Sequence, residues 1–184
     1  MQALLWVTRE YVHVDRVACP WLIKRFIDAR AQFVFLPKDD VGDFSKKTGA
    51  IQFDMGGTVE LDHHKSGGEN RCTFDAIVEK YGLQDDEALE RVRKLVRAAD
   101  TDGLQKEPRA WVLEIVGTGV PLLTKSDQET LETEFPVYDA LYAYFQQEIV
   151  REKYKADIEK FKTRGEARDF IRQKMLALKS RALR

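Results

Sequence analysis

Cysteine is nearly missing from this chain: Cys19 and Cys72 are the two it has in 184 residues. They are too far apart for a zinc knuckle and too few for a disulfide scaffold, so a reduced, cytoplasmic setting is the simplest expectation. A charge of one sign is missing too. With 30 Lys and Arg against 31 Asp and Glu, the net charge is −1, which argues against a general nucleic-acid binder. No apolar run approaches the roughly 18 residues of a membrane span, so no membrane association is expected. The N-terminus lacks the charged-then-apolar layout of a signal peptide. Gly/Ser-rich linkers, internal repeats and low-complexity segments are also absent. What is left is a globular composition, 43% hydrophobic and 33% charged, long enough for a full core.

Periodicity supplies the elements. Ala3 to Val7 reads as a buried strand, and after His13-Val14-Asp15-Arg16 the apolar residues Ala18, Leu22, Ile23, Phe26 and Ile27 recur at helical spacing. Pro20 is expected in the first turn of that helix. Gln32 to Leu36 is a second strand closed by Pro37, Asp39 to Lys47 a polar surface segment with room for a short helix, and Ala50 to Phe53 a third strand. Thr58 to Leu61 reads as a fourth, running into Asp62-His63-His64. Helices follow over Thr73 to Tyr81, closed by Gly82, and Asp86 to Ala99, which delivers Asp100 and Asp102. Another covers Pro108 to Val116, broken by Gly117, Gly119 and Pro121. Ser126 to Glu129 has capping-box spacing, Pro136 stands where a helix can begin, and a last amphipathic helix spans about Glu166 to Leu178. The fold class is therefore α/β: a small, mostly parallel sheet with flanking helices over residues 1–125. A helical segment over 126–184 packs on it or on a second subunit, which makes a homodimer through these helices one expected partner.

The three histidines each follow an apolar run and sit beside a carboxylate. Side chains at the carboxyl ends of neighbouring strands can meet without long loops, and sites in open α/β sheets are built there. The expected metal ligands are His13, Asp15, Asp54, His63 and Asp100, with Asp62 orienting an imidazole. Adjacent residues of an extended chain point opposite ways, so His64 is left for a substrate or a second ion. His64, Arg16 and Asp102 are the candidates for acting on substrate. Arg16 and Arg71 carry forks suited to an oxyanion, although a surface salt bridge is the plainer expectation for Arg71. Ser66-Gly67-Gly68 offers backbone N–H groups to an anion. Imidazole plus carboxylates, without thiolate, suits a divalent ion, Mn first and then Fe or Zn. Taken singly, Asp54 before Gly-Gly is a turn residue and Asp100 an ordinary helix end. Their co-location is what points to a site. Cys72 before a helix invites a reactive thiol, but a buried, inert one is expected, and Cys19 belongs to a core.

The run His13 to Ile23 with Phe26-Ile27-Asp28 closely resembles the C-terminal domain of the chromate-resistance protein family ChrB. So do Gly49 to Asp54, the His63-His64 pair, Cys72-Thr73-Phe74-Asp75, Tyr81-Gly82-Leu83 and Ala98 to Asp102. The resemblance covers about residues 4 to 150 and implies a cytoplasmic role in chromate stress, as a metal-dependent enzyme or as a sensor of a small oxyanion. A more distant resemblance is to the DHH phosphoesterases and their exonuclease branch, whose motifs run His-x-Asp, Val-Asp-x-Gly-Gly, Asp-His-His and Asp-Asn-Gly. It implies a manganese-dependent hydrolase of phosphoesters, with His13, Asp15, Asp54, His63 and Asp100 on the metal and His64 on phosphate. A third expectation is a regulatory or assembly module without catalysis.

Overall fold

The structure, a computed structural model, describes residues 3–101 and 103–183, so Asp102 lies outside the described residues. Strand β1 (Leu5–Arg9) is central, with β2 (Gln32–Leu36) and β3 (Ile51–Gln52) paired parallel to it in the order β2-β1-β3. The register sets Trp6 opposite Phe33 and Ile51, and Val7 opposite Val34 and Gln52. Alternation sends Trp6 and Val7 to opposite faces, and both are fully buried, so both faces are covered. Helix α1 (Val14–Phe26) joins β1 to β2, and α2 (Lys38–Thr48) leads from β2 back across the sheet to β3. These crossovers run in opposite directions, and right-handed connections then place their helices on opposite faces. Two apolar clusters reflect this: Trp6, Trp21 and Phe53 in the large core, Val7, Val41 and Met55 in a small one under α2.

The remaining helices are α3 (Thr73–Lys80), α4 (Glu87–Asp100), α5 (Trp111–Gly119), α6 (Asp127–Lys153), α7 (Lys155–Ile158) and α8 (Arg164–Leu176). In α4 the stripe Leu89, Val92, Leu95 and Val96 is buried, and the Asp86 carboxylate caps the first turn by accepting the Leu89 N–H at 3.0 Å. Leu131, Tyr138, Phe145 and Ile149 of α6 enter the same core as Trp6. The Tyr138 hydroxyl donates to the Val14 carbonyl, tying α6 to the start of α1. Among the described residues no helix is long and apolar enough to cross a membrane.

Several expectations are corrected. Pro20 lies in the interior of α1 rather than its first turn, because the helix already starts at Val14. Pro136 does not begin a helix but sits inside the 27-residue α6, which starts at Asp127 under a Ser126 cap. The carbonyl Pro136 leaves without a donor belongs to Glu132, an exposed residue that water can serve. Gly117 does not break α5 either: a Cβ there would lie 3.2 Å from Val14 Cγ2, so glycine lets α5 approach the start of α1. Thr58 to Leu61 forms no strand. Gly56 and Gly57 turn the chain with φ of 82° and 85°, and the loop winds around the buried Asp62 carboxylate. That carboxylate accepts the N–H groups of Met55, Gly56, Thr58 and His63, which removes them from any ladder. The strand begins later, as β4 (His64–Ser66) in a hairpin with β5 (Glu69–Arg71). Gly67 and Gly68, both at positive φ, form its two-residue turn and not an anion cradle.

Candidate metal centre

The centre is assembled at the carboxyl ends of β1 and β3, where open α/β sheets place their ligands. Asp15, second residue of α1, is 2% exposed. Its carboxylate accepts the N–H groups of Thr73 at 2.7 Å and Phe74 at 3.2 Å, so its first task is to cap α3. The Cys19 thiol donates to it at 3.5 Å. Asp54 follows β3 in a left-handed conformation, φ 50°, a strain of roughly 1–2 kcal/mol for a non-glycine residue. The Thr8 hydroxyl and Arg9 Nε hold it there by donating to its carbonyl. Asp54 Oδ2 faces Arg9 Nη2 at 3.4 Å and Arg16 Nη1 at 3.5 Å. Asp100 is the last residue of α4, and His63 comes from the loop organised by Asp62.

These four side chains meet. His63 Nε2 lies 3.0 Å from Asp100 Oδ2, 3.6 Å from Asp15 Oδ2 and 3.6 Å from Asp54 Oδ1. One donor atom each from Asp15, His63 and Asp100 falls within 4.8 Å of the others. Around an ion with bonds of about 2.1 Å, neighbouring donors stand roughly 3.0–3.4 Å apart; the His63–Asp100 distance matches this, whereas Asp15 and Asp54, each 3.6 Å from His63, would have to close in by a few tenths of an ångström. A second observation agrees: Asp54 Oδ1 and Asp100 Oδ2 are buried and take part in no hydrogen bond. The partner that approaches Asp100 Oδ2 is His63 Nε2, at 3.0 Å, an ion pair when the ring is protonated. Buried carboxylate oxygens left this way are costly unless a cation serves them.

The electrostatics follow from the crowding. Burial pushes the Asp15 carboxyl well up, and the charges of Asp100 and Asp54 push it further. Burial also raises Asp54, against the pull of Arg16 and Arg9. His63 is pushed up to about 9, first by its contact with Asp100 and then by the charges of Asp15, Asp100 and Asp54, although burial opposes this. The contact with Asp100 and the neighbouring acidic groups thus favour a proton on His63, in the position a metal would take from it.

Other expected site residues lie elsewhere. The His13 ring contacts Thr118 Oγ1 at 3.4 Å and Glu114 Oε2 at 3.8 Å, because His13 precedes α1 and faces α5. Four of the five ligands implied by the phosphoesterase resemblance therefore converge, and His13 is not among them. His64 turns away from His63: Nδ1 lies 3.2 Å from the Asp62 carbonyl and Nε2 3.3 Å from Glu79 Oε2. The Asp62 carboxylate holds the His63 backbone rather than a ring, and its carbonyl is what the His64 imidazole meets. Arg71 pairs with Glu69 at 3.0 Å. Cys72 and Cys19 are fully buried, and burial, then the Asp15 charge, pushes both thiols well above the ordinary range, so neither is a reactive thiolate. Arg9 went unrecognised in the sequence, although its place at the end of β1 was a usable signal.

The family described as ChrB, C-terminal domain, matches residues 6–145, a stretch that contains all four converging side chains. Protein ChrB of Cupriavidus metallidurans is 33% identical over 144 residues, covering 78% of this chain and 41% of that protein. The chain thus spans about two-fifths of the length of that relative. No solved structure matches. With more than half its length inside the match, this chain belongs to the ChrB C-terminal-domain family.

Proposed function

We propose that this chain serves chromate resistance as a metal-dependent oxyanion-binding domain, with His63, Asp100, Asp54 and Asp15 holding one divalent cation and Arg16 beside it. The observation that carries this reading is the meeting of His63 with three carboxylates, two of which keep a buried oxygen without a hydrogen bond. Membership in the ChrB family supports the chromate context. An oxygen-rich set with one imidazole suits manganese or iron(II) before zinc. A bound divalent cation supplies positive charge and Lewis acidity to an anionic ligand.

The chain's own residues do the rest. Arg16 is 12% exposed in its side chain; its Nε and Nη1 are buried and make no hydrogen bond, so a tetrahedral dianion drawn to the cation would find unspent N–H groups once the side chain turns from Asp54 to meet it. Arg9 and Arg16 offset part of the carboxylate charge, so the centre does not repel an anion. His63, half-exposed, marks the side open to solvent.

Elemental analysis of protein purified without chelator or nickel resin is expected to find close to one manganese or iron per chain. At a hundredfold excess over Kd, manganese should stabilise the fold by about 2.7 kcal/mol, and His63→Ala should abolish that gain. Equal metal content and equal stabilisation in His63→Ala would overturn the reading. Hydrolysis of a phosphoester by the manganese-loaded protein would move the assignment to the phosphoesterase alternative.

A further inference from the structure

Arg16 lies in the first turn of α1, and its guanidinium reaches the metal centre by leaning on the loop that precedes the helix. Its Nη2 donates to the Tyr11 carbonyl at 2.9 Å, and its Nη1 then comes to 3.5 Å from Asp54 Oδ2. Tyr11 has φ 63°, a backbone region unfavourable for an aromatic residue, and its side chain is 80% exposed, so packing of the ring does not hold it there. The restraint comes from the start of α6. Asp127 Oδ2 accepts the Tyr11 N–H and Asp127 Oδ1 the Val12 N–H, each at 2.9 Å. One carboxylate, 116 residues away in sequence, thus clamps two consecutive backbone amides of the loop whose carbonyl positions the guanidinium.

We infer that Asp127 is a positioning residue for Arg16, so that the first turn of α6 sets the affinity of the centre for a tetrahedral oxyanion. This inference rests on the oxyanion reading of Arg16 given above. Asp127 touches neither the metal cluster nor the guanidinium. It acts through the Tyr11 carbonyl, and its loss should leave metal binding unchanged.

The test uses the full chain loaded with manganese and titrated with inorganic chromate and, separately, sulfate by calorimetry. Asp127→Ala is expected to weaken anion binding about tenfold, as misplacement of a recognition group does, with manganese content unchanged. Asp127→Asn retains one acceptor for the two amides and should fall between, which covers the case in which the alanine variant folds poorly. A purely structural role is separated by a double-mutant cycle: Asp127→Ala combined with Arg16→Ala should bind no more weakly than Arg16→Ala alone. Additive losses, or unchanged anion affinity in both Asp127 variants while Arg16→Ala weakens binding, would overturn the inference and leave the oxyanion reading standing. If Arg16→Ala itself leaves anion affinity unchanged, the oxyanion reading of Arg16 fails and this inference with it.

Discussion

The first turn of α3 separates two buried acidic centres that use the same residue type for opposite ends. On one side Asp75, fully buried, accepts the Cys72 N–H at 3.0 Å and hydrogen bonds from Arg93 and from Arg97, whose Nε lies at 2.8 Å. Arg93 is held in turn by Glu79 and Glu90. On the other side Asp15 accepts the next two amides of α3, and its neighbours Asp54 and Asp100 each keep a buried oxygen that takes part in no hydrogen bond. Burial alone would raise the Asp75 carboxyl, but the bonds from Arg97 and Arg93 outweigh it and hold it below the ordinary range. Asp15 and Asp54 are raised instead. A carboxylate matched by guanidinium forks holds structure together, whereas the less completely matched carboxylates around His63 are the ones that, in the function proposed above, take a cation from solution.

This contrast can be broken from either side. The largest effect is expected at the matched centre. Asp75→Asn removes the buried anion that Arg93 and Arg97, 7% and 18% exposed, share, leaving them only the more exposed Glu79, Glu90 and Glu69, and should cost about 3 kcal/mol in denaturant unfolding. A loss under about 1 kcal/mol would show that this network is not the structural one.

The next effect is in pH dependence, and its sign differs between the centres. Asp75, lowered from 3.8, contributes stability that is present above that value and is lost as pH falls through its folded pKa. His63, raised from 6.5 to about 9, contributes stability fully present below 6.5 and lost as pH rises through about 9. The melting temperature of the metal-free protein should therefore decline as pH rises from 6.5 to about 9. Saturating manganese should flatten that decline, because the cation then takes the place of the proton.

The smallest effect is expected from Asp100→Asn in metal-free protein. Removing one of three crowded carboxylates relieves repulsion while weakening the hold on His63, so unfolding free energy should change by less than about 1 kcal/mol. The same substitution should sharply reduce manganese affinity, measured by calorimetry. Stability that drops severalfold more than this would make Asp100 a structural anion of the Asp75 kind.

The site was partly legible before any coordinates. Asp15, Asp54, His63 and Asp100 stand at ends of apolar runs, and that position alone suggested that they meet. His13 shares the same signal and does not join them, because a helix start sends its first side chains around a full turn and only packing decides which faces inward. Asp62 shows another limit. Its neighbours suggested support for an imidazole, but Gly56 and Gly57 let the chain wrap back so that its carboxylate collects four backbone amides instead. Pro136 misled for a related reason: capping by Ser126 and core contacts of Leu131 and Tyr138 carry α6 through a residue that discourages helix locally.

By itself the sequence determined the α/β class, the β1 and β2 strands, the amphipathic helices and the family. These depend on patterns local in the chain, namely period, caps and turn residues. Only the tertiary structure decided which carboxylates are matched by arginine and which are left open, that His63 rather than His13 or His64 meets them, and that Asp127 braces the loop whose carbonyl Arg16 contacts. Those outcomes depend on distances between residues as far apart as 116 positions, and no local pattern encodes such a distance.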